Sequence, residues 1–182
     1  MRSGWEQPEA FEEEDAHEPE SREALEQQYR RALDAAAKQL SYRQLSVSAL
    51  RKKLMEKGHA EDAAEYALAW LLERGLLNDA ELAAAMVRSY ARRGYGMFRI
   101  RQEMIHRGIS RSDADIALEG HSAEPDQLTK LLHKRLRGDM SDRREVNKAV
   151  AALQRRGFGW DEIKKALSVY KERLADGEYE ED

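Results

Sequence analysis

The chain has 182 residues, of which 36% are charged, and it carries a formal net charge of −4. It contains no cysteine, which excludes a disulfide scaffold, an iron–sulfur cluster and a cysteine nucleophile. No apolar run approaches the roughly 18 residues of a membrane span, and the start is acidic where a secretory leader would be basic and then apolar. We therefore expect a soluble cytoplasmic protein without a membrane partner.

The charge is divided unevenly along the chain. Residues 1–28 hold ten acids and two arginines, and residues 174–182 hold five acids and no base, so the segment between them carries +9. Residues 1–20 contain only two large apolar side chains, and such a segment cannot bury enough surface to offset its ordering entropy. We predict disordered acidic tails over residues 1–20 and 175–182, on either side of a basic folded part.

From residue 21 onward, apolar residues recur at intervals of three and four, which predicts amphipathic helices. Ser46 and Asn78 are typical N-caps, and glycines are typical stops. The predicted helices run over about residues 21–42, 47–57, 61–74 and 79–92, then between Gly96 and Gly108, Ser110 and Gly120, Pro125 and Gly138, and Asp142 and Gly157, and finally over about 161–174.

The same helical frame occurs three times. Gly58, Gly108 and Gly157 end the second helix of each unit and lie 50 and 49 residues apart. The residues four positions before these glycines are Leu54, Met104 and Leu153. Apolar positions kept in register over three copies predict an all-α fold of three tandem three-helix repeats. We place the repeats at residues 21–77, 78–122 and 123–174 and expect an elongated, curved molecule.

The sequence offers no catalytic motif. It lacks a Gly-x-x-x-x-Gly-Lys-Ser/Thr loop, a Gly-x-Ser-x-Gly turn and a His-Glu-x-x-His helix, and its five histidines share no metal-ligand spacing. We predict no catalytic residue, no metal and no cofactor. Gly94 and Gly96 form a fragment of a phosphate-loop pattern, but no strand precedes them. We interpret them as the stop of one helix and the start of the next.

Two arginines have a structural interpretation. Arg51 and Arg101 fall on the apolar arc of the second helix in their repeats, at the place that Val150 takes in the third. An arginine there is expected to lay its methylenes on the core and to pair its guanidinium with a nearby acid. We also assign a structural role, as helix stops and starts, to five glycines: Gly58, Gly94, Gly96, Gly108 and Gly157.

The exposed bases are the candidates for partner binding. From Arg88 to Arg111 there are seven arginines against one acid, Glu103, and further bases follow in the third repeat, including Arg137, Arg155 and Arg156. A basic stripe is often only a solvated helix face, but this density favours a polyanionic partner equally well. The candidates are Arg88, Arg92, Arg93, Arg99, Arg107, Arg111, Lys130, Lys134, Arg135, Arg143, Arg144 and Lys148.

Several motifs resemble the RecX family of bacterial recombination regulators. The most specific are Arg93-Gly94-Tyr95-Gly96, Arg99-Ile100-Arg101-Gln102-Glu103-Met104 and Arg107-Gly108-Ile109-Ser110. Leu50-Arg51-Lys52-Lys53-Leu54 and Gly75-Leu76-Leu77-Asn78-Asp79 support them. The resemblance covers about residues 30–173, and the third repeat matches in pattern more than in letters.

The resemblance implies a monomeric, non-enzymatic modulator of the RecA recombinase in DNA repair and the SOS response. Such a protein binds along the groove of the RecA–DNA filament, and meets single-stranded DNA through it. It limits filament extension and suppresses ATPase and strand-exchange activity. Two alternatives stay open: a nucleic-acid-binding module without specific recombinase contact, and an adaptor with no nucleic-acid role.

Overall fold

The computed structural model describes the backbone of residues 18–179 and the side chains of residues 21–179. Every regular element in this part of the chain is a helix, which confirms the all-α prediction. The helices are α1 Glu18–Tyr42, α2 Val47–Glu56, α3 Glu61–Glu73, α4 Asp79–Arg92, α5 Met97–His106, α6 Arg111–Leu118, α7 Pro125–Leu136, α8 Arg143–Arg155 and α9 Trp160–Ala175. Over the described range, no helix combines the length and the apolar character needed to cross a bilayer.

The nine described helices form three groups, each with its own hydrophobic core. Leu50 and Leu54 of α2 are fully buried among α1–α3, and Ile100 and Met104 of α5 are fully buried among α4–α6. Tyr170 of α9 is fully buried in the third core. Because the buried clusters remain separate, the fold is a row of three-helix repeats, as the periodicity predicts.

The structure describes only the inner ends of the two predicted acidic tails. Both inner ends have more structure than predicted. Residues 1–17 and 180–182 lie outside the described residues, but α1 already begins at Glu18. At the other end, the Tyr179 ring stacks on His133 with 4.2 Å between ring centroids, and Glu178 pairs with Arg173 at 3.3 Å. Residues 176–179 therefore pack on the third repeat and are not a free tail.

The second and third repeats are joined through their backbones. The N–H of Gly96 donates to the carbonyl of Arg156 at 2.9 Å, and that of Phe98 donates to the carbonyl of Gly157 at 3.1 Å. A Cβ on Gly96 would overlap the Gly157 carbonyl, although the φ of Gly96, −84°, suits any residue. A Cβ on Gly157 would overlap the backbone of Arg99. Gly96 is therefore needed for space as well as for the helix start that the sequence indicates.

The first and second repeats are joined through side chains. Ser46 caps α2 by accepting from the Ala49 N–H at 3.1 Å, and its hydroxyl donates to the Arg107 carbonyl at 2.6 Å. The Val47 N–H donates to Asp79 Oδ1 at 2.9 Å, so an acid at the start of α4 also caps α2. Burial raises the pKa of Asp79, and the charge of Asp113 adds to this, while the bond from Val47 opposes it.

These two joints connect the second helices of the repeats end to end. The C-terminal end of α8 meets the N-terminal end of α5, and the C-terminal end of α5 meets the N-terminal end of α2. Each joint therefore places the negative end of one helix dipole against the positive end of the next, which is the attractive arrangement. The joints fix how the repeats follow one another.

We expect Gly96→Ala to weaken the joint between repeats 2 and 3. Its methyl group would collide with rigid backbone, and overpacking of this kind costs about 1–3 kcal/mol. Hydrogen exchange should report faster exchange of the Phe98 amide, which donates across the joint.

Gly58→Ala is the matched control, because its φ of 80° makes alanine cost about 1–2 kcal/mol there while the space around it is open. It should leave the Phe98 amide protected. Equal protection of that amide in Gly96→Ala would contradict the steric account.

Candidate functional site

All the bases that the sequence assigns to partner binding are exposed in the structure. Within the described part of the chain, only Arg107 and Lys148 of this group pair with a carboxylate. Arg107 lies 3.5 Å from Glu103, and Lys148 lies 2.6 Å from Glu145. The hydrogen bond to Glu145 raises the pKa of Lys148. The remaining bases carry positive charge that no described side chain neutralises.

A groove between α7 and α8 collects four basic side chains. It has a volume of about 550 Å³ and is lined by Lys134, Arg135, Arg137 and Arg156, with no acid among its lining residues. Leu131 and Leu153 contribute apolar walls. We name this feature the basic groove. A site with several cations and no carboxylate favours a ligand with several negative charges.

The groove arises from the helical period of α7 and from small residues on α8. Leu132 and Leu136 of α7 are buried in the core, which turns Lys134 and Arg135 toward the neighbouring faces. On α8 the corresponding floor is formed by Ala149 and Ala152, whose short side chains leave the space open.

Arg137 lines the groove, and its backbone has an unusual conformation. Its φ is 50°, and it is the only residue other than glycine with positive φ in the described chain. It caps α7 by donating its N–H to the His133 carbonyl at 2.7 Å. A side chain in this left-handed region costs about 1–2 kcal/mol, so an arginine there is a candidate for function.

The basic groove continues toward the second repeat. The Arg156 guanidinium donates to the Gly94 carbonyl at 3.3 Å, next to Arg93. Arg93 lies over the rings of Tyr90 and Tyr95, at 5.1 and 5.4 Å from their centroids. These rings orient Arg93 by cation–π attraction and leave its charge exposed.

The other candidates lie outside this cluster. Lys130 is one turn before Lys134, which lines the groove, and Arg144 is one turn before Lys148 on α8. Arg107 belongs to the opposite end of α5, where it contacts the Tyr90 hydroxyl at 3.4 Å. The lining of the groove does not include the remaining candidates, which are Arg88, Arg92, Arg99, Arg111 and Arg143.

Arg51 and Arg101 make equivalent ion pairs. Arg51 contacts Glu65 at 2.8 Å, and Arg101 contacts Asp115 at 2.6 Å, each linking the second helix of a repeat to the third. Both pairs are partly exposed, so each contributes at most about 1 kcal/mol to stability. In the described fold, each pair connects the second and third helices of its repeat.

Some contacts between repeats join residues whose pairing the sequence does not indicate. Gln127 of α7 donates to the Ala91 carbonyl at 2.6 Å and holds the third repeat against the end of α4. Asp79 and Ser46 act across the other joint. No group of three metal-ligating side chains occurs in the part of the chain that the structure describes.

Three family models match the chain. Residues 32–71, 78–118 and 123–167 match the first, second and third three-helix domains of RecX. The regulatory protein RecX of Halorhodospira halophila is 36% identical over 150 residues, which cover 80% of this chain and 92% of that protein. The one from Vibrio parahaemolyticus is 34% identical over 141 residues, covering 76% and 91%.

Two crystal structures have a similar fold. RecX from Lactobacillus salivarius superposes with a TM-score of 0.75 at 23% identity, covering 80% of this chain and 97% of that one. A second structure of regulatory protein RecX gives a TM-score of 0.72 at 27% identity, covering 81% and 77%.

We expect the basic groove to dominate binding to a polyanionic matrix. Replacing Lys134, Arg135 and Arg137 with glutamine should lower the salt concentration at which the protein elutes from a heparin column. A control with Lys164, Lys165 and Lys171 of α9 changed to glutamine loses the same charge and should elute at higher salt than the groove variant. Equal elution of the two variants would mean that only net charge matters.

Proposed function

Because the chain belongs to the RecX family, we propose that it regulates the RecA recombinase by binding the RecA–DNA filament. Its relatives are named regulatory proteins, and a regulatory role is the part of the proposal that the family carries directly. The role is non-enzymatic, and the protein acts as a cytoplasmic monomer in recombination and repair.

The basic groove is the observation that best supports a nucleoprotein partner. A filament of recombinase on DNA presents phosphates in a long array, and binding to such an array depends on cations held at fixed positions. Lys134, Arg135 and Arg137 provide these cations next to the joint where backbone hydrogen bonds connect the second and third repeats. Arg93 adds an exposed guanidinium on the other side of that joint.

The repeat architecture supports an inhibitory mechanism. One protein with bases in two repeats contacts the filament at several points at once, and linked contacts strengthen one another by raising effective concentration. A ligand fixed in this way holds neighbouring recombinase subunits in one arrangement. It therefore limits filament extension and slows the ATPase and strand-exchange cycles, which require that arrangement to change.

The same groove also fits a simpler function. With no acid among its lining residues, it suits bare nucleic acid as well as a filament. Salt dependence separates the two functions: a module for bare duplex DNA has a log–log salt slope that shrinks by about 0.9 for each phosphate contact removed. A filament-specific regulator binds bare DNA weakly and the filament strongly.

We expect this protein to inhibit the ATPase of RecA on single-stranded DNA when present at well below one molecule per RecA subunit. Changing Arg92, Arg93, Lys134 and Arg135 to glutamate should abolish inhibition, because it places negative charge against the phosphate array. The ATPase rate measured against protein concentration checks both expectations.

The matched control changes Arg22, Arg30, Lys164 and Lys171 to glutamate, with the same shift in net charge on exposed positions elsewhere. It should retain most of the inhibition. Absence of inhibition by the unaltered protein at any ratio would defeat the proposed function. Full inhibition by the first variant would favour an adaptor without a nucleic-acid role.

A further inference from the structure

Each of the two joints between repeats contains a pair of arginines, and the two pairs lie at equivalent positions of the repeats. Arg43 lies three residues before the N-cap of α2, Ser46, and Arg93 lies three residues before the N-cap of α5, Gly96. On the other side of each joint, the C-cap residues of α5 and α8 are Arg107 and Arg156. Each joint therefore combines one arginine from the earlier repeat with one from the later repeat.

The joint between repeats 1 and 2 forms a groove of about 360 Å³. Arg43 and Arg107 line it together with Lys52 and His106. Glu103 is the acid of the lining, and it lies 3.5 Å from Arg107. Arg43 has no carboxylate partner among the described residues, so the groove retains positive charge.

The joint between repeats 2 and 3 has the same plan with more positive charge. Arg156 donates to the Gly94 carbonyl at 3.3 Å, so its guanidinium contacts the backbone of the residue that follows Arg93. Ala152 occupies the position of Glu103, and Arg155 occupies that of His106, since each lies 49 residues further along. The acid of the first joint therefore has no counterpart in the second.

We infer that the two joints are two copies of one phosphate-binding site, and that they hold separate phosphates of a single nucleic-acid strand. Paired guanidinium groups from two directions suit a phosphodiester, whose oxygens accept several hydrogen bonds. The helix α5 separates the copies: Gly96 to Gly108 spans about 18 Å at 1.5 Å per residue. At about 3.4 Å per nucleotide, a stacked strand covers that distance in about five nucleotides.

This inference rests on the proposed function for its biological setting, but it concerns bare single strands and is tested without recombinase. A fluorescent thymidine 16-mer is titrated with the full chain over a series of salt concentrations, and anisotropy gives the affinity. The pair Arg43→Gln and Arg107→Gln should reduce the log–log salt slope by about 0.7, because it removes one single-strand phosphate contact. The pair Arg93→Gln and Arg156→Gln should do the same.

All four substitutions together should reduce the slope by about 1.4, because the two copies hold two different phosphates. The charge-matched control, Arg22→Gln with Arg30→Gln on α1, should leave the slope unchanged. Arg43→Gln alone removes an exposed guanidinium that has no ion pair among the described residues, so it tests the first copy without breaking a bond of the joint. It should weaken binding to the 16-mer and reduce the slope by no more than about 0.7, the value for one phosphate contact.

The inference is overturned if the unaltered chain fails to bind the 16-mer, or if the joint variants match the α1 control. Neither result bears on RecA inhibition, which the ATPase assay measures separately. Loss of RecA inhibition with intact joint-dependent binding would instead overturn the proposed function and leave the inference standing.

Discussion

The arrangement of the whole molecule depends on close backbone contact at the ends of its second helices. Gly96 and Gly157 let α5 and α8 approach until the N–H groups of one helix donate to the carbonyls of the other. The groups that a helix normally leaves unpaired at its ends thereby satisfy each other. At the other joint, Ser46 provides the donor and Asp79 the acceptor. Three small cores are thus linked through short, directional contacts.

These contacts between helix ends explain why positively charged side chains lie at the joints. A helix C-terminus carries partial negative charge, and a cation at its cap is favoured. Arg107 and Arg156 are the C-caps of α5 and α8, so each is stabilised where two repeats meet. Arg107 also lines the groove between the first and second repeats, and Arg156 lines the basic groove of the third repeat, next to the other joint. Stabilising the joint and presenting positive charge are therefore compatible tasks for one side chain.

The sequence predicts what depends on neighbouring residues and misses what depends on distant ones. The repeats follow from the spacing of Gly58, Gly108 and Gly157, because helix periods and stops are local features. Ser46 is predictable as an N-cap, but its bond to Arg107 spans 61 residues and leaves no pattern in the chain. The basic groove likewise depends on how α7 packs against α8, which no local pattern in the chain indicates. Tyr179, within a run of acids, looks like part of a free tail until its stacking on His133 is seen.

The central claim is that the joints hold all three repeats in one fixed register. Because the chain has no cysteine, spin labels can be attached at Gln28→Cys in the first repeat and Lys164→Cys in the third without competing sites. Pulsed electron paramagnetic resonance then measures the distance between them in solution. The account predicts a single narrow distance distribution. A broad distribution in the otherwise unaltered chain would show that the repeats move independently and would contradict it.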